Sequence, residues 1–152
     1  MAGRAGRPIG RSHAFWDSSA LVPLCVRQSM TPNAVARFKL HDLVVWWTAP
    51  VEIAGALARL LRMKQINPPD WAKARKLANV LSDSWSVIQP SDPLRTRALR
   101  IVDMYDLRAA DSFQLAAALD WCEGAPRGRI FLTMDKRLRD AALLCGFDAQ
   151  QV

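Results

Sequence analysis

The chain has 152 residues, 51% of them hydrophobic and 23% charged, with a net charge of +7 and a pI near 10.0. That suits one soluble domain with a true core, and no apolar run approaches the roughly 20 residues of a membrane span. The three cysteines, Cys25, Cys122 and Cys145, form no CxxC pair, which argues against a disulfide framework or a zinc site and for buried free thiols in a reducing, cytoplasmic compartment.

The first 12 residues, "MAGRAGRPIGRS", are rich in Gly and Arg and lack periodicity. They read as a disordered extension of residues 1–12, an added or over-long start in preference to a basic arm. No apolar stretch follows the arginines, so they do not read as a secretory signal. A single domain is expected over 13–152. His13 to Trp16 is a strand candidate ending at Asp17. "SSALVPLCVRQS" then reads as a helix capped by Ser18 or Ser19, with Pro23 near its first turn. "PNAVARFKLHD" is a second short helix, and Leu43 to Thr48 a strand rich in β-branched and aromatic residues. Pro50 opens a long helix. "NPPD" breaks the chain before a helix over Trp71 to Ser82.

"WSVIQPS" is a short strand, and a helix runs from Asp92 to about Tyr105. "SFQLAAALDWCE" is helical and very apolar, a core-packing stripe. "RIFLT" is a late strand and "KRLRDAALLC" the helix after it, stopped by Gly146. Strands alternating with helices predict an α/β domain with a mainly parallel sheet. In such a sheet the cleft lies at the carboxyl ends of the strands.

Four acids stand at strand ends or helix beginnings: Asp17, Glu52, Asp111 and Asp135. Each alone could be a helix cap or a favourable charge at a helix N-terminus. Together they could converge on one sheet edge. Gathered carboxylates raise one another's pKa unless a cation lies between them. Hard oxygen donors without a thiolate or histidine set point to Mg²⁺ or Mn²⁺, and such a cation on a basic protein fits phosphodiester hydrolysis. Only His13 and His41 are present, so histidine-based catalysis is disfavoured.

"FWDSSALV", "WWTAPVEIAGALARL", "LRAADSFQLAAALDW" and "RIFLTMDKRLRDAALLCGF" occur in that order, each with its acid. They resemble the PIN domain and, more narrowly, the VapC-type toxins of bacterial toxin–antitoxin pairs. The resemblance spans about Ala14 to Phe147 and implies a PIN-like α/β/α sandwich. It further implies a Mg²⁺- or Mn²⁺-dependent endoribonuclease, a cognate VapB-type antitoxin and a homodimer. Asp17, Asp111 and Asp135 would be the metal ligands, with Glu52 completing the catalytic set. Thr133 would bond a ligand acid or a nearby water, and Asp140 would be a supporting or merely solvated acid. Water would attack an RNA phosphorus in line and the 3′ oxygen would leave, without the 2′-OH as nucleophile.

Arg59, Arg108, Lys136 and Arg137 are candidate RNA contacts, against a solvated basic surface as the plain alternative. Trp46 and Trp47 are adjacent on a strand and should face opposite sides. One belongs to the core; the other could join it or meet a partner. A catalytically inactive PIN-like RNA-binding or scaffold protein is the rival function. A phosphatase or phospho-acceptor domain using Asp17 ranks last, because "DSSAL" has neither an Asp-x-Asp nor a lysine beside the strand.

Overall fold

The computed structural model describes residues 10–152. Most of the expected N-terminal extension lies outside them. The two residues that open the described domain are, however, part of it. β1 spans Ser12–Trp16, starting one residue earlier than the sequence suggests. Arg11 donates from Nη2 to the carbonyls of Phe38 and His41 and pairs through Nε with Asp42 Oδ1 at 3.2 Å. Ser12 Oγ lies 2.7 Å from His41 Nδ1. The expected boundary after residue 12 therefore moves to before Arg11, because these contacts tie the segment to the next strand.

The chain continues with α1 (Ser18–Cys25), α2 (Thr31–Leu40), β2 (His41–Trp46), α3 (Ala49–Arg62) and α4 (Pro68–Ser82). After these come β3 (Ser86–Ile88), α5 (Asp92–Met104), α6 (Ala109–Trp121), β4 (Ile130–Thr133), α7 (Lys136–Cys145) and β5 (Asp148–Gln151). The five strands form one sheet in the order β3-β2-β1-β4-β5, and every pairing is parallel. Both faces are covered, as a parallel sheet requires. Alternate side chains divide the core. Ala14, Trp16, Leu43, Val45 and Leu132 pack with α1–α4, whereas Phe15, Val44, Trp46 and Phe131 pack with α5–α7. The result is an α/β/α sandwich. Among the described residues no helix is long and apolar enough to cross a membrane.

Several ends are set by local chemistry. Asn67, Ser91 and Asp135 accept the backbone N–H three residues on and cap α4, α5 and α7. Gly146 closes α7 at φ 106°, a left-handed conformation that glycine adopts without cost.

α1 is shorter than its apolar run suggests. Pro23 is its sixth residue rather than a first-turn one; it removes an N–H from the ladder, and the helix stops two residues later. Neither Ser18 nor Ser19 caps it, since Asp17 holds the cap position. Cys25 and Cys122 are buried free thiols as expected; Cys145 is only half-buried, packed against the core with Sγ 3.4 Å from Tyr105 Oη.

Candidate active site

The strand order places the carboxyl ends of β2, β1 and β4 side by side, and the chain reverses direction across the sheet between β1 and β4. Such a crossover opens a crevice at the strand ends. Asp17 follows β1 and is 4% exposed. Its Oδ2 accepts hydrogen bonds from Ser19 Oγ and, at 2.8 Å, from Thr133 Oγ1. Thr133 ends β4, is fully buried, and also accepts the Asp135 N–H at 3.0 Å. Ser19 Oγ takes the Met134 N–H at 2.9 Å. One hydroxyl network thus joins the tips of the two central strands.

Glu52 lies in the first turn of α3, where Thr48 Oγ1 donates to its Oε1. Gln114 reaches across from α6, and its Nε2 is 3.3 and 3.2 Å from the two carboxylate oxygens of Glu52 and 3.1 Å from Ser18 Oγ. Asp111 is the third residue of α6 and not its cap, a position held by Arg108. Asp135 does cap α7, through Oδ1 to the Leu138 N–H at 2.9 Å. It therefore has the plain structural role as well as its place at the cleft.

Two of the four acids, Asp17 and Asp111, are shifted by burial and by their acidic neighbours. Burial, above all, pushes the Asp17 carboxyl up to about 6; the Ser19 and Thr133 hydroxyls oppose this, and Glu52 and Asp111 add to it. Asp111 is raised by burial first and then by Asp135 and Glu52, with Arg108 opposing. These are the shifts expected where carboxylates gather in a poorly solvated crevice.

The donor set fits a hard divalent cation in chemistry: carboxylates and hydroxyls, without imidazole or thiolate. Gln114 Oε1 and Ser112 Oγ, on the same helix as Asp111, are buried without a hydrogen-bond partner among the described residues. In this conformation, however, no three His, Cys, Asp or Glu side chains among the described residues converge closely enough to enclose an ion. The acids are gathered but held apart.

Asp140 does not join them. It is exposed and paired with its neighbour, Arg139 Nη2 to Oδ1 at 2.9 Å. Arg59 is exposed two turns along α3 from Glu52, about 10 Å away along the axis. Arg108, Lys136 and Arg137 are exposed at the helix starts that also carry Asp111 and Asp135. Sequence reasoning missed Gln114, Thr48 and the acid-binding role of Ser19. Gln114 left one signal: an amide inside an apolar stripe, three residues after Asp111 and so on the same helix face.

No protein-family model matches the sequence, and no curated protein matches it significantly. Solved structures do. PAE2754 from Pyrobaculum aerophilum is 19% identical over 93% of this chain and 90% of that one, with a TM-score of 0.63. FitAcB from Neisseria gonorrhoeae is 15% identical over 89% and 96%, with a TM-score of 0.61. A toxin–antitoxin complex from Klebsiella pneumoniae gives 15%, 82% and 88%, and a TM-score of 0.58. At such identities the likeness is one of fold. The fold is the PIN-like α/β/α sandwich.

Proposed function

We propose that this chain is a VapC-type, cation-dependent endoribonuclease, the toxin of a cytoplasmic toxin–antitoxin pair. The observation that carries the reading is the crevice where burial and the neighbouring acids Glu52 and Asp135 raise Asp17 and Asp111 on a basic fold. The likeness in fold to a toxin–antitoxin complex supports it, and with it a VapB-type antitoxin as partner. Homodimerisation is part of the same proposal.

Asp17, Asp111 and Asp135 would hold Mg²⁺ or Mn²⁺, with Glu52 beside them. When bound, the cation would offset their charge, polarise a phosphoryl oxygen and lower the pKa of a water. The chain's own groups do the positioning. Thr133 and Ser19 fix the Asp17 carboxylate through Oδ2, and neither bond uses Oδ1. Thr48 and Gln114 hold Glu52 from two sides. Arg108, Lys136 and Arg137 supply positive charge for the RNA backbone at the cleft's edge.

The test is cleavage of single-stranded RNA with Mg²⁺ or Mn²⁺ and with EDTA. The parent should cut only with the cation. Gln114→Leu should fold, keep a similar KM and lose about tenfold in kcat, as expected for a residue that orients another. The splayed acids favour a second reading, a PIN-like RNA-binding scaffold without catalysis. RNA binding with no cleavage under either cation would select it.

A further inference from the structure

Beside the acid crevice, at the carboxyl ends of β2 and β3 and the start of α5, lies a groove of about 400 Å³. Its lining includes Trp46, Trp47, Thr48, Pro90, Arg95 and Phe113. Three of these residues are aromatic. Trp46 and Phe113 stack with ring centroids 5.7 Å apart and planes 5° apart. Trp47 is 55% exposed, which is unusual for the largest apolar side chain at the end of a core strand. Its backbone N–H is fixed to Ile88 O at 3.2 Å, so the ring is presented from an anchored position.

Two lining residues tie the groove to the acids. Thr48 lines the groove and donates to Glu52. Phe113 sits on α6 between Asp111, which is in the crevice, and Gln114, which holds Glu52. Among the described residues Arg95 pairs with Asp92 alone, and with side chains 67% and 86% exposed the contact has little strength. Its guanidinium is therefore available to another anion.

An exposed indole, a nearby cation and a lining residue bonded to Glu52 suit one occupant. We infer that this groove is a nucleobase subsite: it takes an unpaired base of single-stranded RNA against the exposed Trp47, with Phe113 in the wall beside it, next to the phosphate presented to the acids. The inference rests on the proposed RNA-directed function. Stacking on an aromatic face tolerates any base and is lost when the base is already paired in a duplex.

Binding of labelled single-stranded RNA homopolymers to the parent and to Trp47→Ala, measured by anisotropy in EDTA, tests this without cleavage. Trp47 is exposed, so the variant should fold. Affinity for single strands should fall about tenfold or more, with little change for a duplex. Equal loss on single strand and duplex would overturn base stacking. So would unchanged RNA affinity, including the case in which sedimentation shows that Trp47→Ala alters self-association, which would make the groove a contact between copies. If the parent binds RNA through Trp47 but never cuts it, the subsite stands and the nuclease reading fails. If the parent binds no RNA in EDTA and neither binds nor cuts it with Mg²⁺, both fall.

Discussion

Asp17→Asn should abolish cation-dependent RNA cleavage and, without divalent ions, make the fold more stable at neutral pH. The first effect should be about a hundredfold or more, since a cation held at a reacting phosphate contributes several kcal/mol. The second follows from burial. Asp17 titrates near 6 in the fold against an ordinary value of 3.8, so the folded state binds its proton more tightly than the unfolded chain does. Below pH about 4 both states are protonated, and nothing is lost. As pH rises through about 6 the fold must accept a buried charge, at a cost of up to about 3 kcal/mol. Asparagine escapes that cost but loses part of the bonding to Ser19 and Thr133. Its advantage should therefore be about 1–3 kcal/mol at pH 8, shrinking towards pH 4. Urea unfolding of both proteins across that range checks it. A variant less stable than the parent at pH 8 would mean that Asp17 holds the fold together rather than straining it.

Phe131→Ala should give the largest loss of stability, about 3–5 kcal/mol. Phe131 is fully buried on β4. Its ring stacks on Phe15 of β1 at 5.3 Å and meets Phe147 at 5.6 Å. The ring thus welds together the two strands whose ends carry Asp17 and Thr133. Removing it leaves a cavity that three surrounding elements cannot easily fill. In a chain of this size the melting midpoint should drop by about 6–20 °C. A fall of only a degree or two in calorimetry would show that the pairing of β1 and β4 does not depend on this ring.

Most of the architecture was legible because its signals are local. "HAFW", "LVVWW" and "RIFLT" are dense in the residues that suit buried parallel strands, and Pro or Gly punctuates most helices. β5 was not legible. "DAQQ" has neither a β-branched nor an aromatic residue, and it becomes a strand because β4 offers a free edge, with Ile130 opposite Asp148. The early start of β2 has a similar cause: His41 and Asp42 read as the end of a helix until Ser12 and His13 pair with them. Tertiary contact overrides propensity at both places.

The positions of the acids were readable from their place after strands or in first turns. Their supports were harder. Ser18 and Ser19 look like helix caps, and only the juxtaposition of β1 and β4 turns Ser19 towards Asp17 and the Met134 N–H. Gln114 looks like part of a packing stripe until its amide reaches Ser18 of α1 and Glu52 of α3 at the strand ends. The adjacent tryptophans split as alternation requires, Trp46 buried and Trp47 exposed. A fold held at 15–19% identity is also understandable: a core accepts many apolar side chains of suitable volume.

The claim on which the account turns is that Asp17, Asp111 and Asp135 bind a cation. Thermal unfolding of the parent and of Asp111→Asn, each with and without Mn²⁺, tests it most directly. A ligand that binds only the folded state at a hundred times its Kd adds about 2.7 kcal/mol. The parent should then melt about 5–10 °C higher with saturating Mn²⁺, and Asp111→Asn should lose most of that rise. An equal shift in both proteins, or none in the parent at millimolar Mn²⁺, would contradict the account.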